Sequence, residues 1–241
     1  MHFLALASDY DGTLADDGNI ADATWDALRR LQTSGRKLIL VTGRSFADLA
    51  RALPQFDAFD GIVAENGAIL YCPAGHRTVP LSSGLPNSLV ERLQLRKVEP
   101  LWIGDIILAT RIENTQEILE AVRQLDLELG IVTNNHTIMV LPAGVNKATG
   151  LVAALDELGI PAQRVVSIGD GENDRALFES TGCGVAVANA PAIVKKTADL
   201  VTEGASGAGV SELIDRVIAT DLAEVKSCIE GRRADIARMA A

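Results

Sequence analysis

Three cysteines in 241 residues, Cys72, Cys183 and Cys228, are too few and too far apart for a disulfide framework or a zinc site. They read as reduced thiols and place the chain in the cytoplasm. Positive charge is short as well: 22 Lys and Arg face 32 Asp and Glu, a formal net charge of −10, and no basic run stands out. That balance argues against nucleic acid or an anionic membrane as the main partner. No apolar stretch approaches the length of a membrane span. The first of them, Phe3 to Ala7, has no basic flank and runs straight into Asp9, so it does not read as a signal peptide. Internal repeats and low-complexity tracts are absent. What remains is an ordinary globular composition, 48% hydrophobic, ample for a core and long enough for one large domain or a domain plus an insert.

The chain is organised around Phe3-Leu4-Ala5-Leu6-Ala7-Ser8-Asp9-Tyr10-Asp11-Gly12-Thr13. Its apolar part is too short for a typical helix and has no polar stripe, which fits a strand buried on both faces. Asp9 and Asp11 then sit at the carboxyl end of that strand, where open α/β sheets bind ligands. Along an extended chain, residues two apart point the same way, so both carboxylates can face one site. Two carboxylates side by side are costly without a cation between them, and hard oxygen ligands at this density suit Mg²⁺. An acidic loop is the competing reading, since Asp-Gly also marks turns. A calcium loop is set aside: Thr13 and Ile20 stand where it needs an acidic residue and a Glu.

Hydrophobic periodicity predicts helices over 21–33 and 45–53, the latter with Ser45 as N-cap, and strands over 37–41 and 61–64. A hairpin turns around Pro73-Ala74-Gly75. Strand and helix alternating in this way mean a parallel sheet. After Ser82-Ser83-Gly84-Leu85-Pro86 the rhythm changes to helix (87–97), broken strand (101–112), amphipathic helix (115–129) and hairpin (131–141). This α+β pattern marks 83–142 as an inserted small domain. The first rhythm resumes with a helix at 149–158, a strand ending in Gly169-Asp170-Gly171-Glu172-Asn173-Asp174, and further short strands and helices. Gly204-Ala205-Ser206-Gly207-Ala208-Gly209 reads as a loop, and a helix with a frayed end is expected from about residue 220. The fold expected is an α/β doubly wound, Rossmann-like parallel-sheet core, 1–82 with 143–241, carrying the insert as a cap.

Four strand ends now carry polar clusters, in order: Asp9-Tyr10-Asp11-Gly12-Thr13, Val41-Thr42-Gly43-Arg44, Lys147 after the insert, and Gly169 to Asp174. Together they resemble the haloacid dehalogenase-like superfamily of phosphohydrolases. The insert, lying between the second and third clusters with an αββαββ pattern, is similar to the type IIB, or Cof-like, cap. Glu65-Asn66-Gly67-Ala68 is similar to a run common in that subfamily. One departure is Ala148, where the family often has Gly.

The resemblance implies a Mg²⁺-dependent phosphatase acting on a small phosphate ester through an aspartyl phosphate. Asp9 is then the nucleophile, and Asp11 the general acid and base, with its main-chain carbonyl a metal ligand. Asp170 adds a metal carboxylate, and Asn173 or Asp174 completes or orients the shell. Thr42, with Gly43, Arg44, Lys147 and Asn173, is expected to hold the phosphoryl group, Lys147 also pairing with Asp9. Arg44 has two readings, touching substrate or only the sheet edge, and Arg111 and His136 of the insert two likewise. The insert carries five Lys and Arg against eight Asp and Glu, which favours a compact substrate such as a phosphorylated sugar or phosphoglycolate. Its Gly- and Pro-containing joints suit hinge closure. The alternatives are a phosphotransferase or mutase on the same scaffold, and a silent metabolite-binding protein, which usually lacks the nucleophile or the acid. Oligomeric state is not readable.

Overall fold

The structure, a computed structural model, describes residues 1–134 and 136–224. Its first part runs β1 (Ala5–Ser8), α1 (Asp22–Thr33), β2 (Lys37–Val41), α2 (Phe46–Ala52), β3 (Gly61–Ala64), β4 (Ile69–Cys72) and β5 (Arg77–Pro80). A middle part follows: α3 (Asn87–Leu95), β6 (Leu101–Ile103), β7 (Leu108–Arg111), α4 (Thr115–Gln124), β8 (Leu129–Asn134) and β9 (Thr137–Pro142). The last part is α5 (Lys147–Leu158), β10 (Val165–Gly169), α6 (Arg175–Ser180), β11 (Cys183–Ala186), α7 (Ala192–Lys195), β12 (Leu200–Val201) and α8 (Ser206–Thr220).

The first and last parts share one eight-stranded sheet in the order β12-β11-β10-β1-β2-β3-β4-β5. It is parallel from β12 to β3, and the β4–β5 hairpin adds antiparallel strands at one edge. Alternate residues feed opposite faces. Leu6, Leu38 and Leu40 pack with Leu28 and Leu31 of α1 and Leu213 and Ile214 of α8. Ala5, Ala7, Ile39 and Val41 pack with Leu151 and Leu155 of α5, Leu177 and Phe178 of α6, and Val194 of α7. Covering both faces is what turns these strands into unbroken apolar runs rather than alternating ones. Each fully buried Leu or Ile contributes about 2 kcal/mol relative to exposure. With β2 on one side of β1 and β10 on the other, connections leave the centre in opposite directions, and a crevice opens at the carboxyl ends of β1 and β10. This is the doubly wound α/β core the sequence implies.

The middle part forms a separate antiparallel sheet, β6-β7-β9-β8, in the expected αββαββ order. Ile138 and Val140 of β9 face α3 and α4, meeting Leu89, Leu93, Ile118 and Ala121. The alternate residues Met139 and Leu141 face the large sheet's edge, meeting Ala64, Ala68 and Ile69 together with Ile106 and Ile107.

Several boundaries differ from expectation. The helix expected to reach residue 129 stops at Gln124, because Asp126 turns left-handed at φ 50° and Leu129 enters β8, paired with Pro142. Asp tolerates that conformation better than most residues. The stretch expected as a loop at 204–209 contains the start of α8 at Ser206. Its glycines serve close packing: a Cβ on Gly207 would come within 2.4 Å of Thr24 Oγ1, and one on Gly209 within 2.4 Å of the Gly204 carbonyl. Helix α5 begins at Lys147 rather than 149. The tail read as a frayed helix lies, beyond Glu224, outside the described residues.

Candidate active site

The parallel strands deliver their polar ends to one rim. Asp9 directly follows β1 and is held there by a hydrogen bond from its N–H to Ile168 O of β10, 3.0 Å. Thr42 follows β2, its N–H donating to Val63 O of β3 at 2.8 Å. Asp170 follows β10. Lys147, expected at a strand end, is instead the first residue of α5, five residues after β9 closes at Pro142.

That helix start is built locally. Asn146 Oδ1 accepts from the N–H groups of Ala148 and Thr149 at 2.9 and 3.0 Å, and Thr149 Oγ1 accepts from Asn146 N–H at 3.0 Å. This reciprocal box satisfies the orphan amides of the first turn. The turn is also pressed against the chain after β3. A Cβ on Gly67, at φ 109°, would lie 1.9 Å from Asn146 O, so only glycine fits. A lysine at a helix N-terminus opposes the dipole, and what compensates is a pair of carboxylates. Lys147 is wholly buried and donates to Asp9 Oδ1 and Asp174 Oδ1, both at 2.6 Å.

Asp9, Asp170 and Asp174 present carboxylate oxygens within 4.8 Å of one another, all three buried. Burial and the Asp174 charge push Asp9 well above the usual carboxylate range, against the pull of Lys147. Burial and Asp174 likewise raise Asp170, against a hydrogen bond from Thr13 Oγ1 at 3.0 Å. Burial pushes the Lys147 ammonium down, but Asp174 and Asp9 outweigh it and hold it above the ordinary lysine value. Three carboxylates around one ammonium leave negative charge in excess. Asp174 has both oxygens engaged, Oδ1 by Lys147 and Oδ2 by the N–H groups of Asp170 and Gly171 at 3.0 and 2.8 Å. It caps its loop and orients its neighbours at once. Asn173 Nδ2 donates to Asn66 Oδ1 at 3.0 Å, which leaves Asn173 Oδ1 buried without a partner. Gly12, at φ 76°, lets the main chain after Asp11 come close: a Cβ there would lie 2.5 Å from Asp170 Oδ2. A buried, all-oxygen donor set with surplus negative charge and an orphaned amide oxygen fits a small hard divalent cation.

Asp11 stands outside that cluster. Its carboxylate accepts from Arg44 Nε at 2.7 Å and Nη2 at 2.6 Å, a two-pronged pair. The guanidinium also sits 5.0 Å over the Tyr10 ring. Thr42 is buried, and its hydroxyl accepts from Arg44 N–H at 3.1 Å. A cavity of about 380 Å³ opens above, with Asp9, Asp11, Gly43 and Arg44 on its floor and Trp102, Ile107, Asn134 and Met139 of the middle part on its roof. Arg111 and His136 are not among its lining residues.

Three residues that sequence reasoning did not assign also belong here: Thr13, Asn66 and Glu65. Thr13 was legible as the end of the first motif. Asn66 and Glu65 take positive φ, 54° and 51°, in a buried turn after β3, and only their neighbours in space give them roles.

Known proteins resemble this chain in both sequence and fold. The family model for haloacid dehalogenase-like hydrolases matches residues 6–102 and 87–214. A phosphoglycolate phosphatase of Methanothermobacter thermautotrophicus is 33% identical over 218 residues, covering 88% of this chain and 97% of its own. A solved haloacid dehalogenase-like hydrolase from Bacteroides thetaiotaomicron superposes with a TM-score of 0.75 at 23% identity, covering 89% of this chain and 99% of its own. The structure of a subclass IIB sugar phosphatase superposes at 0.72 with 22% identity, over 88% and 98%. Among the described residues no helix is long and apolar enough to cross a membrane. With the ordered motifs converging on one rim and both sequence and fold matched over most of its length, the chain belongs to the haloacid dehalogenase-like hydrolases.

Proposed function

We propose that this protein is a Mg²⁺-dependent phosphatase that hydrolyses a small phosphorylated metabolite, of the sugar phosphate or phosphoglycolate kind, through a phosphoryl group carried on Asp9. The observation that carries the reading is the buried Asp9–Lys147–Asp174 arrangement beside Asp170, of which Asp9 lines a compact cavity. We assign 1–82 and the chain from 143 onward, as far as it is described, to the catalytic core and 83–142 to the cap. The chain's acidic character and reduced thiols suit the cytoplasm.

In the first step an Asp9 oxygen attacks phosphorus, the ester P–O bond breaks, and Asp11 gives its proton to the leaving alkoxide. In the second, Asp11 takes a proton from water, whose oxygen attacks the same phosphorus and frees inorganic phosphate from Asp9. Lys147 holds Asp9 in place and stabilises charge gathering on the phosphoryl oxygens. Gly43 lines the phosphoryl side, with Thr42 buried just behind it, and Arg44 holds Asp11 in place and must free one of its oxygens for the carboxyl to carry the proton. Asp9, Asp170, the Asp11 carbonyl and Asn173 Oδ1 would hold Mg²⁺, with Asp174 orienting the set. Bound there, the cation neutralises the phosphate and fixes its geometry. The roof of Trp102, Ile107 and Met139 offers apolar area and Asn134 a polar group, suited to a leaving group of few atoms.

The test is a phosphate-release screen over phosphorylated metabolites, with Mg²⁺ and then with excess chelator. Turnover that needs the metal and favours small esters supports the reading. Chelator-resistant turnover, or none on any ester, overturns it.

A further inference from the structure

The residue that most exceeds its explanation is Glu65. It is wholly buried, sits at φ 51°, and belongs to the turn after β3 rather than to the carboxylate cluster. A buried carboxylate without partners is costly. Its partners are three consecutive amides of the β6–β7 turn in the cap. Oε1 accepts from Asp105 N–H at 2.8 Å, and Oε2 from Ile106 and Ile107 N–H at 2.9 and 3.0 Å. The fit leaves no slack: a Cβ on Gly104 would lie 2.5 Å from Glu65 Oε1. The same β6–β7 segment provides Trp102, Ile103, Gly104 and Ile107 to the cavity wall.

The turn holding Glu65 is tied equally firmly below. Glu65 N–H donates to Arg44 O and Asn66 N–H to Thr42 O, each at 2.9 Å, and Asn66 Oδ1 accepts from Asn173. One turn thus grips the loop carrying Thr42 to Arg44, the loop carrying Asn173, and the roof of the cavity. We propose that Glu65 is a positioning residue: its carboxylate latches the β6–β7 segment of the cap at a set height over the phosphoryl site and so determines which leaving groups are accepted. The cap is held by charge-assisted hydrogen bonds from one core residue rather than left to swing on its linkers. The selectivity half of this rests on the phosphatase reading above; the latch does not.

The test uses the full-length protein and Glu65→Gln. The amide keeps the shape but turns an NH₂ group toward backbone N–H donors. Gly104→Ala, whose Cβ would collide with the Glu65 carboxylate and push the segment off it while leaving Glu65 itself unchanged, is the second variant. Two readouts are taken. Hydrogen exchange at Asp105, Ile106 and Ile107 needs no substrate: protection should drop at least about tenfold in both variants while the β1 amides of the core stay protected. The ratio of kcat/KM for the best metabolite ester to that for phenyl phosphate should also fall about tenfold or more, chiefly through KM, with the double variant no worse than either single one. Unchanged protection overturns the latch. Lost protection with an unchanged ratio overturns the role in selection. If the wild type hydrolyses no ester, the phosphatase reading fails, and the exchange data still decide the latch.

Discussion

Arg44 grips Asp11 with two parallel hydrogen bonds, 2.7 and 2.6 Å, while its guanidinium covers Tyr10. The pair is partly exposed, 29% and 43% for the two side chains, so it stabilises the fold by no more than about 1 kcal/mol. Its value lies in aim. A general acid that is displaced by an ångström loses on the order of 10² in rate. Arg44→Ala should therefore lower kcat by about 10- to 100-fold and shift the melting temperature little, with Arg44→Lys in between. Steady-state phosphate release checks this. Wild-type kcat in Arg44→Ala would mean the pair is only a surface ion pair.

Burial and the Asp174 charge both oppose the charge on Asp9. Asp9→Asn should abolish phosphate release, because an amide is no nucleophile for phosphorus, and leave the melting temperature unchanged or raised. Lys147 keeps Asp174 as partner in that variant. A thermal melt beside the activity assay decides. A melting temperature several degrees lower would show that the Asp9 charge is a net stabiliser.

Lys147→Met removes the ammonium and leaves Asp9 and Asp174 facing each other in the interior. Breaking a buried pair from one side costs about 3–5 kcal/mol. Mg²⁺ should restore part of this loss, so the variant's denaturant midpoint should respond to Mg²⁺ more steeply than the wild type's. Equal responses would argue that the carboxylates do not share a cation.

Asp221, just past α8, ties the first strand down. It accepts from His2 and Phe3 N–H and from Arg36, which also reaches Phe3 O and Val217 O. Burial raises this carboxyl, but the bonds from His2, Arg36 and Phe3 outweigh it and hold it below its ordinary 3.8. A depressed carboxyl contributes stability above its unfolded value and loses it as pH falls through the folded one. Asp221→Asn should therefore melt lower than the wild type at neutral pH, and the gap should close below about pH 4. A gap that persists in acid would mean the loss is one of shape rather than charge.

Much of this molecule was legible in the sequence. Burial of the parallel strands on both faces leaves an apolar run that stops where the chain turns polar, so β1, β2 and β10 and the residues at their ends can be read directly. Short-range chemistry is equally readable: Ser45 caps α2 as expected, its hydroxyl accepting from Asp48 N–H. The αββαββ order of the insert follows from periodicity in the same way.

Tertiary structure decided the rest, because partnership in space has no signature along the chain. The resemblance implied that Lys147 pairs with Asp9, 138 residues away, but nothing near it in sequence announces that it is buried or that Asp174, 27 residues away, is its second partner. Asp9 and Asp11 share a spacing but not an environment, since Arg44 claims one and Lys147 the other. The glycines at 207 and 209 look like a loop until Thr24 and Thr202 stand against them. Glu65 is the extreme case: its run with Asn66, Gly67 and Ala68 could be recognised in the sequence, but its role comes only from three amides some forty residues later that the fold lays across its carboxylate.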